Sequence, residues 1–269
     1  MAKGKNKQLS KRGGGRGGKT EKHAFAKKKW YKLQTPPTIG PSVNVGWVPV
    51  NKTIGTKLSK DGLLGRVAEV NLADVQDKCS CPWKRVKMQI EEVKSTSCYT
   101  SWYGLSMINE KLYTFLRKKM TLIDVVADVK TQDGYILRCL VTTFTSRKQG
   151  QLRTNTYAKH SQVRAIRKAF VKYLAKVAVT STISDFAASV IGESMANKLM
   201  ERGKKIFPLS TVLVRKVKVL KKSKIDVNKL VTETNAKREA GGIGQKGENV
   251  AAEAVEAVNA VNAPKGDNA

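Results

Sequence analysis

Alternating apolar and polar residues predict two paired strands between residues 121 and 145. Residues 123–130 place Ile, Val or Ala at every second position, which is typical of a strand with one buried face. Asp133 and Gly134 predict a hairpin turn, because glycine adopts positive φ without strain. Residues 135–145 are apolar on both faces, which predicts a central strand of a sheet.

Residues 157–176 predict an amphipathic helix. Apolar side chains recur every three or four residues along one face: Val163, Ile166, Phe170, Leu174 and Val177. The other side carries a row of cations four residues apart: Arg164, Lys168, Lys172 and Lys176. These cations repel one another, and an anionic partner would relieve the repulsion. A plain solvated face, the alternative interpretation, normally interleaves glutamate.

Weaker patterns predict the remaining elements. Strands are predicted at residues 64–72, 84–91 and 212–220. Helices are predicted at residues 109–119, from Ser184 or Asp185 to Ile191, and at residues 193–200. We expect a globular domain at residues 34–233, between a basic arm at 1–33 and a flexible Ala/Asn-rich tail at 234–269.

The arm is too polar to build a core, so we expect it to be disordered when free. Its Arg/Gly segment at residues 12–18 can bind phosphates and stack on bases. A tail that only improves solubility is the alternative. Trp30 and Tyr31 follow three lysines, and they either stack on unpaired bases or anchor the arm on the domain.

The amino-acid composition predicts that the protein binds an anionic partner. Lys and Arg number 51 against 21 Asp and Glu, a formal net charge of +30, while 41% of the residues are hydrophobic, enough for a core. The charge is segregated: residues 1–33 hold twelve bases and one acid, residues 134–184 ten and none, and residues 204–224 eight and none. Such segregation predicts binding to nucleic acid or to an anionic membrane. Apolar stretches are too short for a membrane span, and the N-terminus lacks a secretory pattern, so nucleic acid is the expected partner.

No motif assigns a catalytic, cofactor or metal site. The chain has four cysteines: Cys79, Cys81, Cys98 and Cys139. Their spacing does not fit paired zinc knuckles, and we expect reduced thiols. His23 and His160 have no aspartate beside them, and phosphate-loop and nucleophile-elbow motifs do not occur. The lack of such motifs does not by itself exclude catalysis, but it leaves no residue to which catalysis could be assigned. Our expectation is a protein that is not an enzyme and uses no cofactor.

Several segments occur in the order in which they are found in a known family, over about Gly4 to Leu230. They are Gly4-Lys-Asn-Lys7, Lys29-Trp-Tyr31, Gly55-Thr-Lys57, Asp61-Gly-Leu63, Asp128-Val-Lys-Thr131, Gln162-Val-Arg164, Ile166-Arg-Lys168 and Val214-Arg-Lys-Val-Lys218. On these segments the chain resembles the eukaryotic and archaeal small-subunit ribosomal proteins of the S-one-e (also S-three-a) family. Residues 42–51, residues 78–82 and the tail after Leu230 depart from the family pattern.

The resemblance implies an α+β fold in which a β-barrel-like, mostly antiparallel sheet carries packed helices. It implies a structural rRNA-binding protein on the platform of the small subunit, near the mRNA exit and the 3′ end of small-subunit rRNA, supporting assembly and translation. The implied partners are small-subunit rRNA, neighbouring ribosomal proteins, mRNA near the exit and initiation factor three, without a membrane. The implied location is the cytoplasmic ribosome, after transit through the nucleus and nucleolus.

We expect four parts of the chain to contact rRNA. The arm contributes Lys3, Lys5, Lys7, Lys11, Arg12, Arg16, Lys27, Lys28, Lys29 and Trp30. The connector contributes Arg147, Lys148 and Arg153, and the helix contributes Lys159, His160, Arg164, Arg167, Lys168 and Lys172. The last predicted strand and the residues after it contribute Arg215, Lys216, Lys218, Lys221 and Lys222.

Arg164 and Arg167 are the candidates for forked phosphate contacts. The lysines act as point charges on A-form RNA, which proteins bind mainly through shape, phosphate and 2′-OH groups. An RNA-processing enzyme, an RNA chaperone and a DNA-compacting protein are the alternative classes. Sedimentation with one ribosomal subunit and sensitivity to ribonuclease distinguish them.

Overall fold

The computed structural model describes residues 24–40, 44–76 and 81–240. Eight strands run through these ranges: β1 Lys28–Gln34, β2 Asn44–Asn51, β3 Val67–Asn71, β4 Lys84–Lys94, β5 Ser97–Met107, β6 Leu122–Lys130, β7 Ile136–Thr145 and β8 Leu209–Lys221. Six α-helices accompany them: α1 Leu72–Gln76, α2 Asn109–Phe115, α3 His160–Thr180, α4 Ile183–Ile191, α5 Ser194–Lys204 and α6 Val227–Ala240. A short 3-10 helix, Ala24–Lys27, leads into β1.

The eight strands form one sheet around β5. One edge of β5 pairs with β4, which pairs in turn with β3. The other edge pairs first with β1, which carries β2, and then with β8, which carries the β7–β6 hairpin. Among the described pairs only β1–β5 is parallel. The predicted α+β class with a mostly antiparallel sheet is confirmed, and within the described residues this sheet is open, because β2, β3 and β6 each pair with one strand.

The predicted hairpin between β6 and β7 is confirmed. Along β6 the odd-numbered residues are buried and the even-numbered residues are exposed, so the alternating pattern corresponds to a core face and an outward face. Gly134 has a φ of 86°, which favours glycine. Thr131 N–H donates to Tyr135 O at 2.9 Å and closes the turn.

Helix α3 packs on the core beside β6. Its buried side chains are Val163, Ile166, Phe170, Tyr173, Leu174 and Ala178, which confirms the predicted apolar face. Two hydrogen bonds fix the helix along the strand: Ala158 N–H donates to Thr121 Oγ1 at 3.1 Å near one end, and Gln132 N–H donates to Ser181 O at 3.2 Å near the other. The helix begins at His160, three residues later than predicted.

The sequence patterns missed several elements, each for a physical reason. β5 is buried on both faces and therefore shows no alternation. β2 contains Gly46 and Pro49, which disfavour a strand in general but are tolerated on an edge strand. The structure places residues 28–33, expected in the arm, in β1, because Tyr31 and Leu33 are buried in the core.

The C-terminal end also carries an unpredicted element. Helix α6 extends seven residues into the region expected to be a flexible tail. Val231 and Thr234 are buried, and Tyr99 Oη donates to Asn235 Oδ1 at 3.0 Å, so this helix docks on β5. The expectations for residues 1–23 and 241–269 concern parts of the chain that lie outside the described residues.

Candidate nucleic-acid interface

Helix α3 presents its row of cations outward. Arg164, Lys168, Lys172 and Lys176 are all exposed, and no acidic residue lies within the helix. We call these four residues the helix surface. Because the opposite face of α3 is packed in the core, the spacing and direction of the four charges are set by the fold.

Arg167 has a structural contact that the pattern did not predict. Its Nε donates to the backbone carbonyl of Asp124 at 3.1 Å. β6 is an edge strand, so this bond joins the helix to the free side of the sheet. Arg167 remains exposed beside the helix surface, but part of its guanidinium is already engaged.

Arg167→Ala is expected to lower the free energy of unfolding by about 1 kcal/mol, the usual net value of one hydrogen bond. Arg164→Ala is the matched control on the same helix, and as an exposed surface change it is expected to cost less than about 0.5 kcal/mol. Urea denaturation followed by circular dichroism measures both values. Equal stabilities would contradict a structural role for Arg167.

The connector between β7 and α3 is folded against the start of the helix. Thr145 Oγ1 donates to Thr156 O at 2.6 Å, which closes the connector into a loop. Thr156 N–H donates to Lys119 O at 2.9 Å, and Lys119 Nζ donates to Thr154 Oγ1 at 3.4 Å. The predicted cations of this region are all exposed: Arg147, Lys148, Arg153, Lys159 and His160. The helix surface therefore continues into a basic loop.

Three further cations join this loop and were not predicted. Arg117, Lys118 and Lys119 are exposed and precede β6. They were assigned to the end of a helix at 109–119, whereas α2 ends at Phe115. The run of three adjacent cations could have indicated these residues in the sequence. Their link to the basic loop depends on the contact between Lys119 and the connector, which the sequence does not reveal.

A second group of cations lies on the outward face of the sheet, opposite the face on which α3 packs. Lys216 and Lys218 point to this face because the residues that alternate with them, 217 and 219, are buried. Lys218 lies opposite Arg138 of β7 on one side and Gly104 of β5 on the other. The cations of the helix and of the last strand were expected to meet rRNA together. In the structure they form two separate surfaces on opposite faces of the sheet.

β4 extends this second group. Lys87 lies opposite Gly104, and Arg85 lies opposite Ser106. A Cβ at Gly104 would come within 2.5 Å of the carbonyl oxygen of Val217, so glycine is needed for β5 and β8 to approach. We call the following residues the sheet patch: Arg85, Lys87, Arg138, Lys216 and Lys218. Sequence reasoning found only the two β8 lysines, because the others come from strands distant in sequence.

Acidic residues flank the sheet patch and hold its outer members. Glu69 forms an ion pair with Lys87, and Asp128 accepts two hydrogen bonds from Arg138, both at 2.7 Å. The hydrogen bond from Arg138 lowers the pKa of Asp128. Burial, followed by the nearby charges of Lys218 and Lys87, lowers the pKa of Lys216. The cations at the centre of the patch therefore disfavour one another's charged forms, and a bound anion would stabilise the protonated form of Lys216.

The other predicted site residues occupy varied positions. Lys222 forms an ion pair with Glu91, so its charge is already compensated. Arg215 is half-buried, whereas Lys221 is exposed. Lys148 lies 5.8 Å from the centre of the Phe207 ring. The predicted residues at positions 3–16 lie outside the described residues.

The described residues of the arm lie on or beside β1. Lys27 and Lys29 are exposed, Lys28 donates to Asn51 Oδ1, and Lys29 lies 5.0 Å from the centre of the Tyr31 ring. Trp30 is exposed. Tyr31 is the residue that anchors the arm, so the two adjacent aromatic residues have different environments.

The cysteines of the described region belong mainly to the core. Cys98 and Cys139 are buried in β5 and β7, and burial raises their pKa values to about 11 and about 12. Cys81 is half-buried. Within residues 24–40, 44–76 and 81–240, no three His, Cys, Asp or Glu side chains form a group able to hold a metal ion. None of the helices in these same ranges is long and apolar enough to cross a membrane.

The family model of the Ribosomal S3Ae family matches residues 16–223. This chain belongs to the Ribosomal S3Ae family. The small ribosomal subunit protein eS1 of Theileria annulata is 42% identical over 243 residues, which cover 90% of this chain and 92% of the relative. The protein of the same name from Plasmodium falciparum (isolate 3D7) is 41% identical, covering 90% and 92%, and that from Babesia bovis is 38% identical, covering 90% and 91%. The resemblance inferred from the sequence segments is confirmed, and this S3Ae-family member is a structural ribosomal protein, not an enzyme.

Proposed function

We propose that this protein is a structural constituent of the small ribosomal subunit that binds rRNA through the helix surface. The observation that carries the proposal is a row of four exposed cations on an acid-free helix whose other face is packed in the core. Relatives similar over nine-tenths of the chain are named small ribosomal subunit protein eS1, which supports the choice of subunit.

The geometry of the helix surface suits a sugar–phosphate backbone. Side chains four residues apart on a helix are separated by about 6 Å, close to the spacing of successive phosphates. The first turn of α3 contains no acid, and its flanking Lys159 and His160 are exposed. The positive end of the helix dipole therefore adds to the side-chain charges.

The sheet patch is a second candidate contact. Its five cations face away from α3, so one continuous RNA surface cannot cover both groups without wrapping around the edge of the domain. We propose that the two groups contact different rRNA segments and that the protein holds these segments together. Such bridging would explain a contribution to subunit assembly.

The finer placement follows from the family resemblance. We propose a position on the platform near the mRNA exit and the 3′ end of small-subunit rRNA, next to other ribosomal proteins and within reach of mRNA and initiation factor three. We also propose that assembly includes transit through the nucleus and nucleolus before the protein functions in cytoplasmic ribosomes.

Sedimentation tests the proposed function. The tagged full chain, expressed in place of a cell's own S3Ae-family protein, is expected to sediment stoichiometrically with small subunits and whole ribosomes. Ribonuclease should release it, whereas deoxyribonuclease should not. Substoichiometric protein at the top of the gradient would instead favour an RNA chaperone, and release by deoxyribonuclease would favour a DNA-binding protein.

A further inference from the structure

One face of the β1–β2 ribbon exposes large aromatic side chains. Trp30 is 43% exposed and Trp47 is 50% exposed. In the antiparallel register Trp30 lies opposite Pro49, and Trp47 lies opposite Lys32, so the two indoles are diagonal neighbours on the same face. Diagonal pairs are close enough for large side chains to form one continuous surface.

The ribbon's other face is part of the core, which fixes the direction of the indoles. Tyr31, Leu33 and Val50 are buried there, and they alternate with the residues of the exposed face. Phe25, itself 54% exposed, stacks on Trp30 with ring centres 6.0 Å apart and planes inclined by 20°. The fold thus holds three aromatic rings at the surface of an edge ribbon.

Cations lie among these rings. Lys32 Nζ is 5.5 Å from the centre of the Trp47 ring. Residues 22–60 contain eight lysines and no aspartate or glutamate. A protein that docks here would have to be unusually acidic to match this charge. Every nucleic acid strand carries the required negative charge on its phosphates.

A basic cleft adjoins the aromatic face. It has a volume of about 490 Å³ and includes Pro49 and Asn51 of the ribbon in its wall. Its charged lining residues are Lys28, Lys52, Lys57, Arg66 and one acid, Asp61. Arg66 Nη1 donates to Pro49 O at 2.8 Å, which holds the guanidinium next to the position opposite Trp30.

We propose that this face binds single-stranded RNA: successive unpaired bases stack on Trp30 and Trp47, and their phosphates lie in the adjoining basic cleft. A groove of positive charge beside stacking aromatic rings is the usual arrangement for binding a single strand without strong sequence preference. Base-paired RNA does not present free base faces, so this site differs in ligand from the helix surface. The inference rests on the proposed function in that it takes the polyanion to be RNA.

Binding of a fluorescein-labelled decauridylate to the full-length protein tests the proposal. Trp30→Ala and Trp47→Ala are each expected to weaken binding about five- to a hundredfold, the usual cost of losing one stacked base. Neither change alters the charge, so the salt dependence of binding should keep its slope. Trp30→Phe and Trp47→Phe should recover most of the affinity, and Tyr113→Ala, an exposed aromatic on α2, is the control expected to bind like the unchanged protein.

A base-paired RNA hairpin with a four-nucleotide loop separates this inference from the proposed function. The tryptophan variants should bind it normally, and charge reversal of the helix surface should weaken it. Failure of the unchanged protein to bind the hairpin would overturn the proposed function. Normal binding of decauridylate by the alanine variants would overturn only the stacking site. The same would follow if these variants lost binding only to small-subunit proteins freed of RNA, because the aromatic face would then be a protein-docking surface.

Crosslinking covers the case in which an alanine variant does not fold. The unchanged protein is irradiated with a decamer containing 4-thiouridine, and the crosslinked peptides are identified by mass spectrometry. Crosslinks at Phe25, Trp30 or Trp47 are expected. Crosslinks confined to other parts of the chain would contradict the proposal.

Discussion

Charge reversal of the helix surface, as Arg164→Glu, Lys168→Glu and Lys172→Glu together, is expected to prevent stable incorporation into the small subunit. Each substitution removes one of the proposed phosphate contacts and adds a repulsive charge. Charge-assisted hydrogen bonds contribute about 1.5–3 kcal/mol each, so three losses correspond to about a thousandfold or more in affinity for rRNA. The slope of log K against log salt should also decrease in magnitude by about three.

The fold is expected to tolerate this triple change. All three residues are exposed on α3, and glutamate is as good a helix former as lysine or arginine. Arg167 is left in place because its bond to Asp124 belongs to the structure. The melting temperature should therefore stay close to that of the unchanged protein while the sedimentation profile shifts to the top of the gradient.

A matched control separates location from net charge. Lys198, Lys205 and Lys229 are exposed cations outside the helix surface and the sheet patch, and their reversal changes the net charge by the same amount. This control variant is expected to enter small subunits. Equal exclusion of both variants would mean that total charge, and not the helix surface, determines incorporation.

Glu193→Gln is expected to destabilise the domain by about 2 kcal/mol because it leaves a buried cation without its counter-charge. Lys84 is only 4% exposed. Its Nζ lies 2.9 Å from Glu193 Oε1 and donates to Ile191 O at 2.9 Å, which ties β4 to the turn between α4 and α5. Glutamine keeps the size of the side chain and an acceptor oxygen, so the change isolates the charge.

Replacing the other member of the ion pair, Lys84, should lower the free energy of unfolding by a smaller amount. Lys84→Met removes the buried charge and fills similar volume, and Glu193, whose side chain is 49% exposed, can be hydrated by water. Thermal unfolding compares the two variants: for a domain of this size about 2 kcal/mol corresponds to about 4–8 °C. A larger loss for Lys84→Met than for Glu193→Gln would contradict the proposed role of the buried charge.

Sequence reasoning succeeded where periodicity and burial coincide. The β6–β7 hairpin and α3 each have one buried and one exposed face, so their patterns can be read directly. β5 could not be found in this way, because pairing on both edges and burial on both faces remove the alternation. The central strand of the sheet was therefore the element least visible in the sequence.

The candidate site shows the same limit. The helix surface lies on one continuous segment, and its residues were identified from spacing alone. The sheet patch combines β4, β7 and β8, so Arg85, Lys87 and Arg138 become recognisable only through strand register. Lys222 was expected to be an open charge, but the ion pair with Glu91 depends on a contact across more than a hundred residues.

The position of β8 has a consequence for synthesis on the ribosome. β8 lies between β5 and β7, so its pairing with both strands joins the N-terminal part of the sheet to the β6–β7 hairpin. Until residue 221 has left the exit tunnel, both neighbours expose an unpaired strand edge, a state prone to wrong pairing. The nascent chain is thus two unjoined parts between the emergence of residue 145, which ends the β6–β7 hairpin, and that of residue 221, and completion of the sheet creates the sheet patch in the same event.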